Sequence, residues 1–112
     1  MKKAVKETFS GKTRIFIVED HPLFREGIAQ LINTEDDLEV CGGAAGAPDA
    51  LEQIAVLKPD LVIVDITLKN SSGIDLTLEL HKKYESLPIL VLSMHDEPIF
   101  ADRVLKAGAS GY

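Results

Sequence analysis

Three short runs along the chain are almost wholly aliphatic: Ile15–Val18 (IFIV), Leu61–Val64 (LVIV) and Ile89–Leu92 (ILVL). None alternates apolar with polar positions. A strand that is apolar on both faces is covered on both faces, as in a parallel sheet held between layers of helix. Leu38–Cys41 is a weaker fourth strand, and Glu39 within it suits a sheet edge. The intervals between these runs carry helical spacing. Phe24, Ile28 and Ile32 recur four residues apart, flanked by Leu23 and Leu31, with Pro22 at a first-turn position. Pro48 opens a second helix whose apolar stripe is Leu51, Ile54 and Ala55, and Lys58-Pro59 stops it. Leu76 and Leu80 mark a third helix after the Ser71-Ser72-Gly73 turn. Pro98 opens a fourth, with Ala101, Val104 and Leu105 facing inward and Gly108 closing it. Strand alternating with helix four times predicts an α/β fold, a doubly wound parallel sheet. Gly42, Gly43 and Gly46 read as a pliant loop between the second strand and second helix, Cys41 as packed on its strand, and His81, beside Lys82 and Lys83, as solvated helix surface.

The 112 residues allow one domain, with residues 1–13 as a flexible amino-terminal tail and 14–112 as the folded body. Hydrophobic residues are 46% of the chain but aromatics only 5%, with no Trp, so the core is expected to be aliphatic and a base-stacking platform for single-stranded nucleic acid is not expected. The net charge is −6. Residues 1–12 contribute +3, which leaves −9 on the body, a sign that repels phosphate backbones. Cys41 is the only cysteine, so no internal disulfide forms, and a reducing cytoplasm is the expected setting. No apolar run is long enough to cross a bilayer, and the start of the chain lacks the apolar stretch of a secretory signal; no membrane partner is expected.

In an open α/β sheet the ligand crevice lies at the carboxyl ends of the strands. Glu19 and Asp20 follow the first aliphatic run, Asp65 the third strand and Ser93 the fourth. Three carboxylates and a hydroxyl thus converge on one rim. Carboxylates about 4 Å apart repel by about 4 kcal/mol per pair at an effective dielectric near 20, a cost that a divalent cation removes. Oxygen donors without a nearby Cys favour a hard ion, and Mg²⁺ is commonly held by one or two carboxylates with waters and a phosphate oxygen. The pattern therefore suits Mg²⁺-assisted phosphoryl chemistry, with Asp65 as the nucleophile and Glu19 and Asp20 as the metal-holding pair. His21 and His95 flank this rim; His21 reads as the start of the first helix and His95 as a loop residue. Gly11-Lys12-Thr13 imitates the end of a P-loop, but position 6 is Lys6 where that motif needs glycine, and the segment precedes its strand.

The segments RIFIVEDHPLFREGI, KPDLVIVDITL, PILVLSMHDE and LKAGASGY, spread over residues 14–112, resemble the receiver domain of two-component response regulators, within them the LuxR/NarL-type class with a helix-turn-helix output domain. The resemblance implies a flavodoxin-like (CheY-like) sheet in the order 2-1-3-4. It implies that Asp65 accepts a phosphoryl group from a histidine kinase, that Glu19, Asp20 and Asp65 hold Mg²⁺ with the backbone carbonyl of Thr67, and that Ser93 and Tyr112 are the switch hydroxyl and switch aromatic. It further implies a phosphoacceptor signalling domain, not an enzyme, whose DNA contacts belong to a carboxyl-terminal domain outside this chain. The family pattern places a lysine three residues past Tyr112, where the sequence ends. The expectation is a receiver with its fifth strand and fifth helix largely missing, the fourth strand an exposed apolar edge, and self-association into a homodimer through it. Two other readings compete. A pseudo-receiver that acts only as an interaction module would not be phosphorylated. Haloacid-dehalogenase-type phosphatases also carry a nucleophilic Asp at a strand end, but need a second Asp where this chain has Thr67.

Overall fold

The computed structural model describes residues 11–65, 73–92, 105, 106 and 108–111. In chain order the elements are β1 (Thr13–Val18), α1 (Pro22–Asn33), β2 (Leu38–Ala44), α2 (Ala47–Leu57), β3 (Leu61–Asp65), α3 (Gly73–Lys83) and β4 (Ile89–Leu92). The strands form one parallel sheet in the order β2-β1-β3-β4, as predicted. Thr13, assigned above to the tail, is the first residue of β1, and its N–H donates to the Asp37 carbonyl at 2.9 Å. The tail before Gly11, and the fourth helix apart from its last residues, lie outside the described residues.

Alternate residues of each central strand feed two cores. Phe16, Val18, Val62, Val64, Ile89 and Val91 face α2 and α3, where Ala50, Ile54, Leu76 and Leu80 complete a buried cluster. Ile15, Ile17 and Ile63 face the other way, against Ile28, Ala29 and Ile32 of α1. The α1 stripe is narrower than its spacing suggested. Phe24 is 50% exposed and no residue of the helix is fully buried, because α1 rests on the sheet by its second and third turns. On α2 the inward positions are Ala50 and Ile54 with Leu51 beside them, and Ala55 is exposed: rotation of the helix puts Ala50 on the sheet in its place.

Gly42 and Gly43 are not loop residues; they belong to the second half of β2. Between β1 and β2 the register slips, with Ile15 opposite Val40 and Phe16 opposite Gly42, so that Cys41 is an extra residue on the edge strand. A Cβ on Gly42 would stand 2.8 Å from Leu57 Cδ1 and 3.2 Å from the Phe16 ring, which is why glycine occupies a strand position here. The end of α2 is held by Arg14, whose guanidinium Nη1 donates to the carbonyls of Leu57 (2.7 Å) and Lys58 (3.1 Å). These carbonyls lie past the reach of the helix's own N–H groups, and Lys58 adopts the left-handed conformation that ends it.

Two further expectations change at the β4 side. The outer edge of β4 is not bare: Ser110 N–H donates to the Ile89 carbonyl (2.7 Å), Val91 N–H to the Gly111 carbonyl (3.1 Å), and Leu90 pairs with Gly111 in parallel. Ser110 and Gly111 thus take up part of the edge through which self-association was expected. Gly108, at φ +112°, turns the chain, and Ala109 beyond the turn enters the core while Leu105 before it is 51% exposed. A Cβ at Gly108 would collide with the side chain of His81, which is half-buried by this contact and not a solvated surface group.

Candidate metal centre

Parallel strands end together, so the residues that follow them share a rim. β1 ends at Val18, and the Glu19 N–H that follows still donates to the Ala44 carbonyl of β2 at 3.0 Å. β3 runs one residue further, and Asp65, opposite Leu92 of β4, is its last position. The result gathers Glu19, Asp20, His21 and Asp65, each offering one ligand atom within 4.8 Å of all the others. The sequence pattern placed the three carboxylates on this rim, and the structure brings them together. Thr67, Ser93, His95 and Tyr112 lie outside the described residues.

The environment differs sharply among the four. Glu19 is 2% exposed, and the Asp20 side chain is only 6% exposed. Asp65 is half-buried, and the His21 side chain opens to solvent. Burial pushes the Glu19 carboxyl above its ordinary range. The His21 N–H and ring pull it back, and the neighbouring Asp65 carboxyl pushes it up again. Glu19 Oε2 accepts the His21 main-chain N–H at 3.0 Å and faces His21 Nδ1 at 3.0 Å, while Asp20 Oδ1 faces the same nitrogen at 3.0 Å. With its proton on Nδ1, His21 donates to Glu19, and the Asp20 oxygen stands within ion-pairing distance of the same nitrogen.

His21 does what its position suggested, standing at the N-cap of α1 with Pro22 in the first turn. It also touches both members of the acid pair, which spacing alone did not settle. The residue that sequence reasoning missed is Arg25, one helical turn into α1, whose guanidinium Nη1 donates to the main-chain carbonyl of Glu19.

Three carboxylates in a partly dry rim carry mutual repulsion that a hard divalent cation relieves, and oxygen donors of this kind match Mg²⁺ better than a soft metal. Asp20, just past the end of β1, and Asp65, at the end of the adjacent β3, could hold such an ion, with Glu19 buried beside them.

A parallel sheet in this strand order, with an acidic cluster at the carboxyl ends of its two central strands, defines the receiver class of signalling domain. Residues 15–112 match the response regulator receiver domain family, and the chain belongs to that family. It is 37% identical over 101 residues to the transcriptional regulatory protein DegU of Brevibacillus brevis, an alignment covering 90% of this chain and 43% of that protein. It is 32% identical over 100 residues to the oxygen regulatory protein NreC of Staphylococcus haemolyticus, covering 88% of this chain and 46% of the relative. The crystal structure of a LuxR-family two-component response regulator from Aurantimonas sp. SI85-9A1 superposes with a TM-score of 0.87 at 37% identity, covering 90% of this chain and 72% of the other. These relatives are response regulators of the LuxR/NarL type, and the chain spans less than half the length of DegU and NreC. Among the described residues no helix is long and apolar enough to cross a membrane.

Proposed function

We propose that this chain is the phosphoacceptor part of a cytoplasmic transcriptional regulator, and that Asp65 is the residue phosphorylated. The observation that carries the reading is the meeting of Glu19, Asp20 and Asp65 at the ends of β1 and β3 in a chain of the receiver family.

An Asp65 carboxylate oxygen attacks the phosphorus of a phosphohistidine on a sensor kinase. The P–O bond forms as the P–N bond breaks, and the electron pair returns to the histidine nitrogen. Asp65 suits this role because it stands singly at the end of a central strand and is less enclosed than Glu19. Asp20 and Asp65, with the Thr67 carbonyl as a further ligand and Glu19 supporting them, would hold Mg²⁺. The ion supplies charge neutralisation between the acids and the incoming phosphoryl oxygens. Ser93 and Tyr112 act as the switch pair: the hydroxyl turns toward the phosphoryl group and the aromatic side chain moves with it. Such a switch works only if the phosphoryl group bonds more strongly in the active arrangement than in the resting one. The readout passes to a helix-turn-helix domain that contacts DNA; the acidic receiver itself does not. The domain assists its own phosphorylation and turns over no other substrate.

Incubation with Mg²⁺ and acetyl phosphate, followed by intact mass measurement, tests the proposal. A mass increase of one phosphoryl group on the wild-type chain, absent from Asp65→Asn, is expected. No adduct on the wild type would leave an interaction module, and turnover of many phosphate esters would indicate a phosphatase.

A further inference from the structure

Arg25 lies close to a cluster of three carboxylates, yet among the described residues it pairs with none of them. Its guanidinium is committed to a backbone oxygen instead. Nη1 donates to the Glu19 carbonyl, and the Arg25 main-chain N–H donates to the His21 carbonyl at 2.8 Å. Arg25 therefore grips the loop on both sides of Asp20, through its side chain before the aspartate and through its backbone after it. The other end of Glu19 is fastened to β2 through its N–H and the Ala44 carbonyl.

The side chain reaches this position by crossing Gly43. A Cβ on residue 43 would stand 3.2 Å from Arg25 Cδ and 3.2 Å from the Ile17 carbonyl oxygen, so a larger residue would crowd the arginine stem, which would have to shift by a few tenths of an ångström. The stem lies along a shallow cleft of about 230 Å³ whose walls include Ile17, Pro22 and Val40. Glycine at position 43 and arginine at position 25 thus make one device, built from β2 and α1, which themselves supply no carboxylate to the site.

We infer that Arg25 is a positioning residue for the metal site: it fixes the Glu19-Asp20-His21 loop so that the Asp20 carboxylate is presented toward Asp65, and Gly43 is the space it needs. This rests on the reading of the acidic cluster as a Mg²⁺ site, and it makes a prediction opposite in sign to simple electrostatics. Removing a positive charge beside a cation site should tighten cation binding, whereas removing the brace should weaken it.

The test is Mg²⁺ titration of the wild-type chain and of Arg25→Ala, Arg25→Lys and Gly43→Ala, followed through the Asp20 amide signal. Amide hydrogen exchange at Glu19 and His21 is measured in the metal-free proteins alongside. Arg25→Ala should bind Mg²⁺ about tenfold more weakly, the scale seen when a group that orients a metal ligand is lost. Gly43→Ala, which leaves the charge intact, should weaken binding in the same direction, and Arg25→Lys should recover part of the loss. Exchange at His21 should accelerate in Arg25→Ala. Unchanged or tighter Mg²⁺ binding by Arg25→Ala overturns the inference. If the wild type binds no Mg²⁺, the metal-site reading fails, and exchange still decides the brace: an unaltered rate at both amides would show that Arg25 does not hold the loop. Should Arg25→Ala not fold, Arg25→Lys and Gly43→Ala carry the comparison.

Discussion

Asp65→Asn should make the metal-free protein more stable while depriving it of a response to Mg²⁺. Glu19, Asp20 and Asp65 each place an oxygen within 4.8 Å of the other two. Two unit charges at that separation repel by about 3.5 kcal/mol at an effective dielectric of 20. The substitution removes two such pairs, but most of that energy is not recovered. Asp65 is only half-buried and sheds part of its repulsion into water. The His21 N–H and ring at Glu19 offset part of the repulsion between Glu19 and Asp65. A net stabilisation of about 1–2 kcal/mol remains, which for a domain of this size raises the unfolding midpoint by about 4–8 °C per kcal/mol. Urea unfolding at neutral pH, in EDTA and in excess Mg²⁺, measures it. The wild type should gain stability with Mg²⁺ in proportion to the logarithm of its concentration over Kd, and the variant should gain little. The reasoning fails if Asp65→Asn is less stable than the wild type in EDTA, or if both proteins gain equally from Mg²⁺.

Three more outcomes follow from particular contacts. The folded state holds the Glu19 carboxyl above its ordinary value of 4.5, so as pH rises from there the unfolded chain releases its proton first. Stability therefore falls across the window between the two values and then levels; Glu19→Gln should lack that fall, and identical pH profiles of urea midpoints for the two proteins in EDTA would refute it. Gly42→Ala should cost about 1–3 kcal/mol, because its Cβ would meet Leu57 and the Phe16 ring at 2.8 and 3.2 Å, and a thermal melt within error of the wild type would show that those side chains yield freely. Leu80→Ala, at a fully buried position between α3 and the sheet, should cost about 2–5 kcal/mol in the same assay, well beyond what Leu31→Ala costs on the exposed face of α1.

The architecture was legible because fully buried parallel strands leave uninterrupted aliphatic runs, and these bounded β1, β3 and β4 to within a residue or two. β2 was cut short. Its second half is Gly42-Gly43-Ala44, which carries no strand signal because the demand there is for space beside Phe16 and Arg25, not for side-chain burial. The carboxylates of the site were readable for the same reason as the strands, since whatever follows an aliphatic run stands on the rim. Arg25 was not readable. Its bond goes to a backbone carbonyl, which is the same at every position of a sequence, so no residue type marks the partner. His81 was misplaced because the group that buries it, Gly108, lies far along the chain and has no side chain to announce the contact.

The one-residue slip between β1 and β2 bears on how this protein behaves in a crowd. A straight edge strand offers an even row of donors and acceptors on which a strand from another molecule can dock. At Cys41 that row loses step, with Leu38–Val40 on one phase and Gly42–Ala44 on the next. A foreign strand can match either half but not both, and over Gly42 and Gly43 it finds no side chains to pack against. The glycines that leave room for the Phe16 ring and the Arg25 stem thus also deny the sheet a template for growth, so that solubility and site geometry depend on the same stretch of backbone.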